Sequence, residues 1–206
     1  MHWMGISDIW TFVVAVIVFL ALPGPGTFAL LTATSKGGKK GGYAALMGLI
    51  LGDQLLLWLA VAGVAALLAA NPSLFKGVQY AGALYLVWVG VSLLRPGKNL
   101  GPALVHMQVG KYFRQALLIT VLNPKAIVFY MAFFPLFIDP QRHQGWTTFA
   151  SMAAIIALIT LIYCSGLILI GDILSKRLRA NQVLSRWLER GAGVFLIGFG
   201  IKLGSN

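Results

Sequence analysis

The sequence predicts an all-α integral membrane protein with six transmembrane helices, arranged as two inverted-topology repeats of three helices. The first observation is composition: 59% of the 206 residues are apolar, 10% are charged, and the mean hydropathy is +0.85. Soluble domains have roughly 45–50% apolar and about 25% charged residues, so much of this chain must face lipid. The other two observations are the length of the apolar segments and a likeness between the two halves of the chain.

Five apolar segments are each near or above the ~20 residues that a membrane-spanning helix requires. They cover residues 9–31, 43–69, 74–94, 114–138 and 146–170. A sixth segment, 187–204, is weaker because Glu189, Arg190 and Lys202 leave only 191–201 free of charge. Its charged ends would have to reach the membrane interface. The first segment follows no basic residue and precedes no small-residue cleavage site, so we expect it to stay in the mature protein.

Basic residues predict the orientation of these helices. Twelve of the sixteen Lys and Arg residues lie in three loops, 32–42, 95–114 and 171–190. Because cytoplasmic loops carry an excess of Lys and Arg, we expect these loops in the cytoplasm and both termini in the periplasm, provided that the sixth segment crosses. The formal charge of +11 is then explained by topology, and no nucleic-acid partner is expected.

The two halves of the chain resemble each other in pattern. Residues 82–91 and 192–201 match in the positions of small and aromatic residues. Helix one is interrupted by Pro23–Gly26, and helix four carries Asn123–Lys125 at the corresponding place. Because each repeat has an odd number of helices, the second must enter from the opposite side, as in many secondary transporters. The alternative is that apolar helices rich in Gly and aromatic residues look alike by chance.

This pattern predicts a single transmembrane domain over residues 1–206. Repeat one covers about 1–95, repeat two covers about 112–206, and the basic cytoplasmic linker is 95–114. Helices one and four are expected to be broken or kinked.

Helix one contains Pro23, Gly24, Pro25 and Gly26, followed by Thr27. The two prolines remove two backbone donors and clash with the preceding turn, so a break or kink is expected. If the second half of the helix begins near Pro25, its free N–H groups and positive dipole end form a site for a carboxylate. The alternative is a structural kink repaired by neighbouring helices.

Asp53 is the only acid deep within a predicted span. It lies about ten residues into the second segment, near the bilayer centre at ~1.5 Å per residue. An ionised carboxylate there costs at least ~2.5–3.5 kcal/mol, so we expect Asp53 to be neutral at times, paired or facing water. Such a group can carry a proton or bind an ammonium group, or it can be satisfied structurally within its helix. On the same helix, Gly48 and Gly52 predict the close approach of a second helix.

Asn123, Pro124 and Lys125 lie near the centre of the fourth segment. Pro124 frees a carbonyl, Asn123 offers a donor and an acceptor, and Lys125 is the one cation that cannot easily reach an interface. Lys125 therefore needs a partner. Asp53 or a substrate carboxylate can supply it, and a purely structural pair with Asp53 is the alternative.

The remaining residues with chemical potential give weaker indications. His2, His106 and His143 lack metal-ligand spacing, so neither a metal nor another cofactor is expected. Cys164 is the only cysteine, which excludes an intrachain disulfide. No catalytic set lies within the spans, so we do not expect an enzyme. Some aromatic residues can line a cavity, but most are expected to pack or to anchor helices at the interface. These aromatic residues are Trp58, Tyr85, Trp88, Phe129, Tyr130, Phe133, Phe134 and Tyr163.

Four motifs in this order resemble the lysine exporter (LysE) superfamily, and most closely its RhtB-type branch of neutral amino-acid exporters. They are Pro-Gly-Pro at 23–25, Gly-x-x-x-Gly-Asp at 48–53, the run Tyr80–Leu86, and Asn-Pro-Lys at 123–125 followed by Phe129, Phe133 and Phe134. The resemblance covers nearly the whole chain. It implies a bacterial inner-membrane exporter that expels amino acids, such as leucine, threonine or homoserine, in exchange for protons.

Residues and resemblance together predict a carrier with one central site. Residues 23–27, Asn123, Pro124 and Lys125 are expected to hold the substrate carboxylate, and Asp53 to hold the ammonium group or exchange it for a proton. A neutral substrate is favoured because no additional buried acid is available for a cationic side chain. The expected partners are the amino acid, protons and the lipid bilayer, and Gly-rich faces leave a homodimer open. The alternative is an uncoupled channel or a membrane assembly subunit.

Overall fold

The computed structural model describes residues 6, 8–22, 24–70, 107–139 and 145–180, with single residues at 77, 80, 84, 87, 88, 91, 190, 194, 197, 198 and 201. This part of the chain is almost entirely helical. Its α-helices are α1 (Ile9–Ala21), α2 (Pro25–Ala70), α3 (Tyr112–Val121), α4 (Pro124–Val128) and α5 (Trp146–Ala180). After α4 the chain continues as a π-helix over Phe129–Phe133 and a 3-10 helix over Phe134–Phe137. The third and sixth predicted segments, including the compared residues 82–91 and 192–201, lie outside the continuously described residues.

The described helices fit a membrane protein. By length and composition, Pro25–Gly63 and Trp146–Ile170 are long and apolar enough to cross a bilayer, although the first of them contains a break at Gly38. Tyr112–Val121 and Lys125–Phe137 make a third span if the pair, bent by 59°, is taken as one. Ile9–Ala21 is apolar but shorter. The predicted helical membrane fold is thus confirmed in outline, for the part of the chain that is described.

Helix α2 consists of two helices, 25–37 and 39–70, joined at Gly38. Gly38 has φ 61°, a left-handed conformation that glycine adopts without steric penalty. A Cβ atom on Gly41 would lie 2.5 Å from the carbonyl oxygen of Ala33. Residues eight apart on one straight helix are separated by about 12 Å, so the chain reverses direction at Gly38. The predicted basic loop 32–42 is therefore the closed end of a helical hairpin.

Glycines in the second half of α2 allow α3 to pack directly on its backbone. A Cβ atom on Gly48 would press on the Phe113 carbonyl oxygen and lie 3.0 Å from the Leu117 amide nitrogen. A Cβ atom on Gly52 would lie 2.7 Å from Cβ of Thr120. The predicted close approach of a second helix at Gly48 and Gly52 is confirmed. This close approach places the C-terminal end of α3 against Gly52, directly before Asp53.

Buried apolar side chains form two clusters. One joins α1, the C-terminal part of α2, the segment Phe129–Phe137 and α5. The other joins both halves of α2 to α3 and α5, closer to the turn at Gly38. Phe129 stacks on Phe19 at 3.9 Å between ring centroids, and Tyr130 and Phe134 are buried in the first cluster. These aromatic residues pack as predicted.

The substitution Gly48→Ala is expected to destabilise the folded protein, because the added methyl group meets the backbone of α3 rather than a movable side chain. Overpacking of this kind costs about 1–3 kcal/mol. Thermal unfolding in detergent would measure the effect. Gly63→Ala is the matched control, since a Cβ atom there meets nothing within 4 Å. Equal unfolding midpoints for both variants would contradict close packing at Gly48.

Candidate functional site

The first helix is interrupted between α1 and α2. Leu22 is the C-cap of α1, with φ −66° and ψ 114°, which ends the helix. Helical hydrogen bonding resumes when the Phe28 amide donates to the Gly24 carbonyl oxygen at 3.0 Å. Pro25 is thus the first residue of the new helix, a position that suits proline because the missing N–H would have no partner there. Pro23 lies outside the described residues.

A second interruption separates α3 from α4. Asn123 is the N-cap of α4, and its Oδ1 accepts a hydrogen bond from the Lys125 amide at 3.0 Å. Pro124 occupies the first helical turn. The predicted acceptor of Asn123 is therefore used to begin a helix.

The side chain of Lys125 reaches from α4 to the end of α1. Its Nζ donates to the carbonyl oxygens of Phe19 at 2.9 Å and Leu22 at 2.7 Å, and it lies 4.6 Å from the centroid of the Phe19 ring. The last carbonyls of a helix have no partner within the helix, and a cation near them is stabilising. A side chain at the second interruption therefore supplies the hydrogen-bond donor for carbonyl oxygens that the first interruption leaves without a helical partner.

Asp53 lies in the second half of α2 and is only 7% exposed. The Tyr130 hydroxyl is its hydrogen-bonding partner, and the charge of Lys125 acts on its carboxylate. Tyr130 comes from the π-helix that follows α4 and is itself buried. Sequence reasoning placed Tyr130 among the packing aromatics and missed this bond.

One cavity, with a volume of about 60 Å³, brings these groups together. On the scale where one water needs ~10–15 Å³, it has room for a few water-sized groups. Its lining includes Gly24, Gly26 and Thr27 from the first interruption, Asn123 and Lys125 from the second, and Asp53 from α2. Most of the residues predicted to bind substrate are thus assembled around one space. Pro25 is not part of its described lining, and the side chain of Pro124 lies outside what the structure describes.

Sequence reasoning named Tyr163 among the aromatic residues of which some can line a cavity, but it missed the other polar residues of this lining. Thr120 lies on α3, and Thr160, Tyr163 and Cys164 lie on one face of α5. The spacing of the last three, at i, i+3 and i+4, is that of neighbours on a helix surface. Three polar or sulfur-containing residues at this spacing within an apolar span were the available signal.

The substitution Lys125→Met is expected to destabilise the protein, because the carbonyls of Phe19 and Leu22 lose their charged donor. A hydrogen bond to a charged group contributes about 1.5–3 kcal/mol. Thermal unfolding in detergent should therefore show a lower midpoint, which Lys125→Arg restores in part. Lys111→Met, at an exposed position, is the control. If Lys125→Met unfolded at the same temperature as the control, the hydrogen bonds from Lys125 to the two carbonyl oxygens would not stabilise the interruption between α1 and α2.

The comparisons with known proteins agree with one another. A family model described as LysE type translocator matches residues 17–206. An uncharacterized membrane protein of Pseudomonas aeruginosa is 39% identical over 207 residues, which cover 97% of this chain and 96% of that protein. A leucine efflux protein of Enterobacter sp. (strain 638) is 37% identical, covering 98% and 97%, and one of Salmonella typhimurium is 34% identical, covering 97% and 95%. No solved structure gives a significant match. Because the family match covers most of the sequence and these relatives match almost end to end, the chain belongs to the LysE type translocator family.

Proposed function

We propose that the protein is a secondary-active exporter of amino acids across the bacterial inner membrane, driven by proton antiport. The observation that carries this proposal is the cavity, where two helix interruptions and the buried Asp53 meet. Membership of a translocator family, rather than an enzyme family, supports transport. The relatives named leucine efflux protein support a neutral amino acid such as leucine, threonine or homoserine.

The lining of the cavity suits a zwitterion. The helix that begins at Pro25 offers free backbone N–H groups and a positive dipole end for a carboxylate, with Gly26 and Thr27 on the cavity wall. Lys125 has three N–H donors, of which two are used by carbonyls of α1. The third is available to a substrate carboxylate, and Asn123 borders the same space.

Asp53 supplies the opposite charge. In this proposal its carboxylate binds the substrate ammonium group in one stage of the cycle and a proton in the other. Only one of the two can occupy the carboxylate at a time, so export of the amino acid is exchanged for entry of a proton. Asp53 is buried at the cavity wall, where an ionised carboxylate is costly. Binding of the ammonium group or of a proton lowers that cost.

The proposed architecture is a pair of inverted three-helix repeats. The two interruptions support it, because each follows a leucine, Leu22 or Leu122, and each restarts with a proline, Pro25 or Pro124. The basic turn at Gly38 is then cytoplasmic and both termini are periplasmic. Alternating access comes from rocking of the two repeats about the cavity.

Overexpression should lower the intracellular concentration of at least one neutral amino acid. Cells can be loaded with leucine-, threonine- or homoserine-containing peptides and their intracellular amino acids measured over time. Export that saturates with concentration and collapses with an uncoupler supports the carrier. Flux that rises linearly with concentration and ignores the uncoupler supports a channel, and no flux of any tested amino acid contradicts the proposal.

Asp53→Asn is expected to abolish proton-driven uptake into everted vesicles while leaving membrane insertion intact, because the amide cannot exchange a proton. Uptake of labelled substrate after an imposed pH gradient measures this. Asp53→Glu should retain part of the activity, and Asp139→Asn, which removes an acid outside the described cavity lining, is the control. Normal gradient-driven uptake by Asp53→Asn would exclude Asp53 as the coupling group.

A further inference from the structure

We infer that Thr120 and Thr160 complete, together with Asp53, a three-acceptor site for the primary ammonium group of the substrate. The site would select amino acids with a free amine over N-acylated ones. This inference rests on the proposed function and adds the residues that recognise one end of the substrate. Thr120, Thr160 and Asp53 come from α3, α5 and α2, and all three line the same cavity.

The two threonine hydroxyls are buried without partners. Thr120 is 4% exposed and Thr160 is 2% exposed, and neither Oγ1 has a hydrogen-bond partner among the residues that the structure describes. The large majority of buried side-chain polar atoms in native proteins are hydrogen-bonded, so two such hydroxyls on one cavity wall offer hydrogen-bonding capacity that a ligand can use.

A third buried threonine shows how such a hydroxyl is satisfied elsewhere in this protein. Thr34 Oγ1 donates to the Leu30 carbonyl oxygen, one turn earlier in its own helix, at 2.8 Å. This bond is the usual solution for threonine within an apolar helix. Thr120 and Thr160 also lie within α-helices, yet their hydroxyls do not make it. The oxygen lone pairs and the proton of both hydroxyls are therefore available to a group outside their own helix.

Packing holds Thr120 in this arrangement. A Cβ atom on Gly52 would lie 2.7 Å from Cβ and 2.9 Å from Cγ2 of Thr120. The methyl side of Thr120 is thus pressed against α2, immediately before Asp53 in the sequence. This contact involves Cβ and Cγ2 of Thr120 and does not involve its hydroxyl.

The chemistry of the three groups matches an ammonium ion. A primary ammonium group has three N–H donors and one positive charge. The Asp53 carboxylate supplies the negative charge and one acceptor, and the two hydroxyls supply the others. An N-acylated amino acid has one N–H and no charge at that nitrogen, so it would leave two of the three acceptors unpaired and the carboxylate charge unbalanced.

The experiment uses full-length protein in everted vesicles and labelled leucine as the probe. Thr120→Val and Thr160→Val remove each hydroxyl at nearly constant volume. Because a hydrogen bond to a charged group is lost, each should raise the KM for leucine by roughly tenfold or more, with a smaller change in kcat. N-acetylleucine is expected to compete weakly for transport by the wild type, and relatively better in both variants.

Matched variants separate recognition from folding. Thr120→Ser and Thr160→Ser keep the hydroxyl and should keep a KM close to that of the wild type. Thr34→Val removes a buried hydroxyl that is already bonded outside the cavity and should leave KM unchanged. Gel filtration in detergent checks that each variant is folded. If a valine variant does not fold, the corresponding Thr→Ala variant is measured in its place.

Each other outcome overturns the inference in a distinguishable way. If the wild type transports leucine but the valine variants keep its KM, the ammonium site is wrong and the proposed function stands. The ammonium site is also wrong, and the proposed function stands, if the valine substitutions weaken the binding of leucine and N-acetylleucine equally. The hydroxyls would then act only structurally. If transport requires sodium and the variants change the sodium dependence instead of the KM, the three oxygens hold a metal ion. If the wild type transports no amino acid, the proposed function is wrong, and the inference, which rests on it, is wrong as well.

Discussion

The constraint on which this structure depends is that backbone polar groups in an apolar interior need partners within the protein. Each interrupted helix leaves such groups at both of its new ends. Here Lys125, next to the second interruption, donates to Phe19 and Leu22 at the first. Asn123 satisfies the amide of Lys125 itself. The two interruptions therefore stabilise each other, and the cavity lies where they meet.

Close helix packing positions the polar residues around that meeting point. Gly48 and Gly52 let the backbone of α3 approach α2 to a distance that a larger side chain would prevent. Thr120 is consequently held against α2 at Gly52, the residue that precedes Asp53 in the sequence. Without a strong hydrophobic force between helices inside a membrane, small residues and good packing provide much of the association. The same glycines thus contribute to stability and to the geometry of the site.

The sequence predicts the helices and their interruptions because proline, glycine and ionisable residues are rare within apolar segments. Pro25, Asp53 and Lys125 could be selected on that basis, and Asn123 with them because it directly precedes Pro124. The partners of these residues could not, since a helix that is apolar all round gives no indication of which face turns inward. Tyr130 illustrates the difficulty: it lies in a π-helix, where the 3.6-residue repeat used to assign helix faces no longer applies. Thr160 was overlooked because a hydroxyl in an apolar helix usually bonds to its own backbone.

The arrangement of charges favours the proposed binding cavity over a structural ion pair. Lys125 uses its hydrogen bonds on neutral carbonyls, so its charge is not cancelled by those contacts. Asp53 hydrogen-bonds Tyr130 and is acted on by the charge of Lys125, while the hydroxyls of Thr120 and Thr160 on the same cavity wall have no partner among the described residues. A closed ion pair would leave nothing for a ligand to add. A buried polar network that is only partly satisfied is unfavourable, and a zwitterion is the type of molecule that would satisfy both of its ends at once.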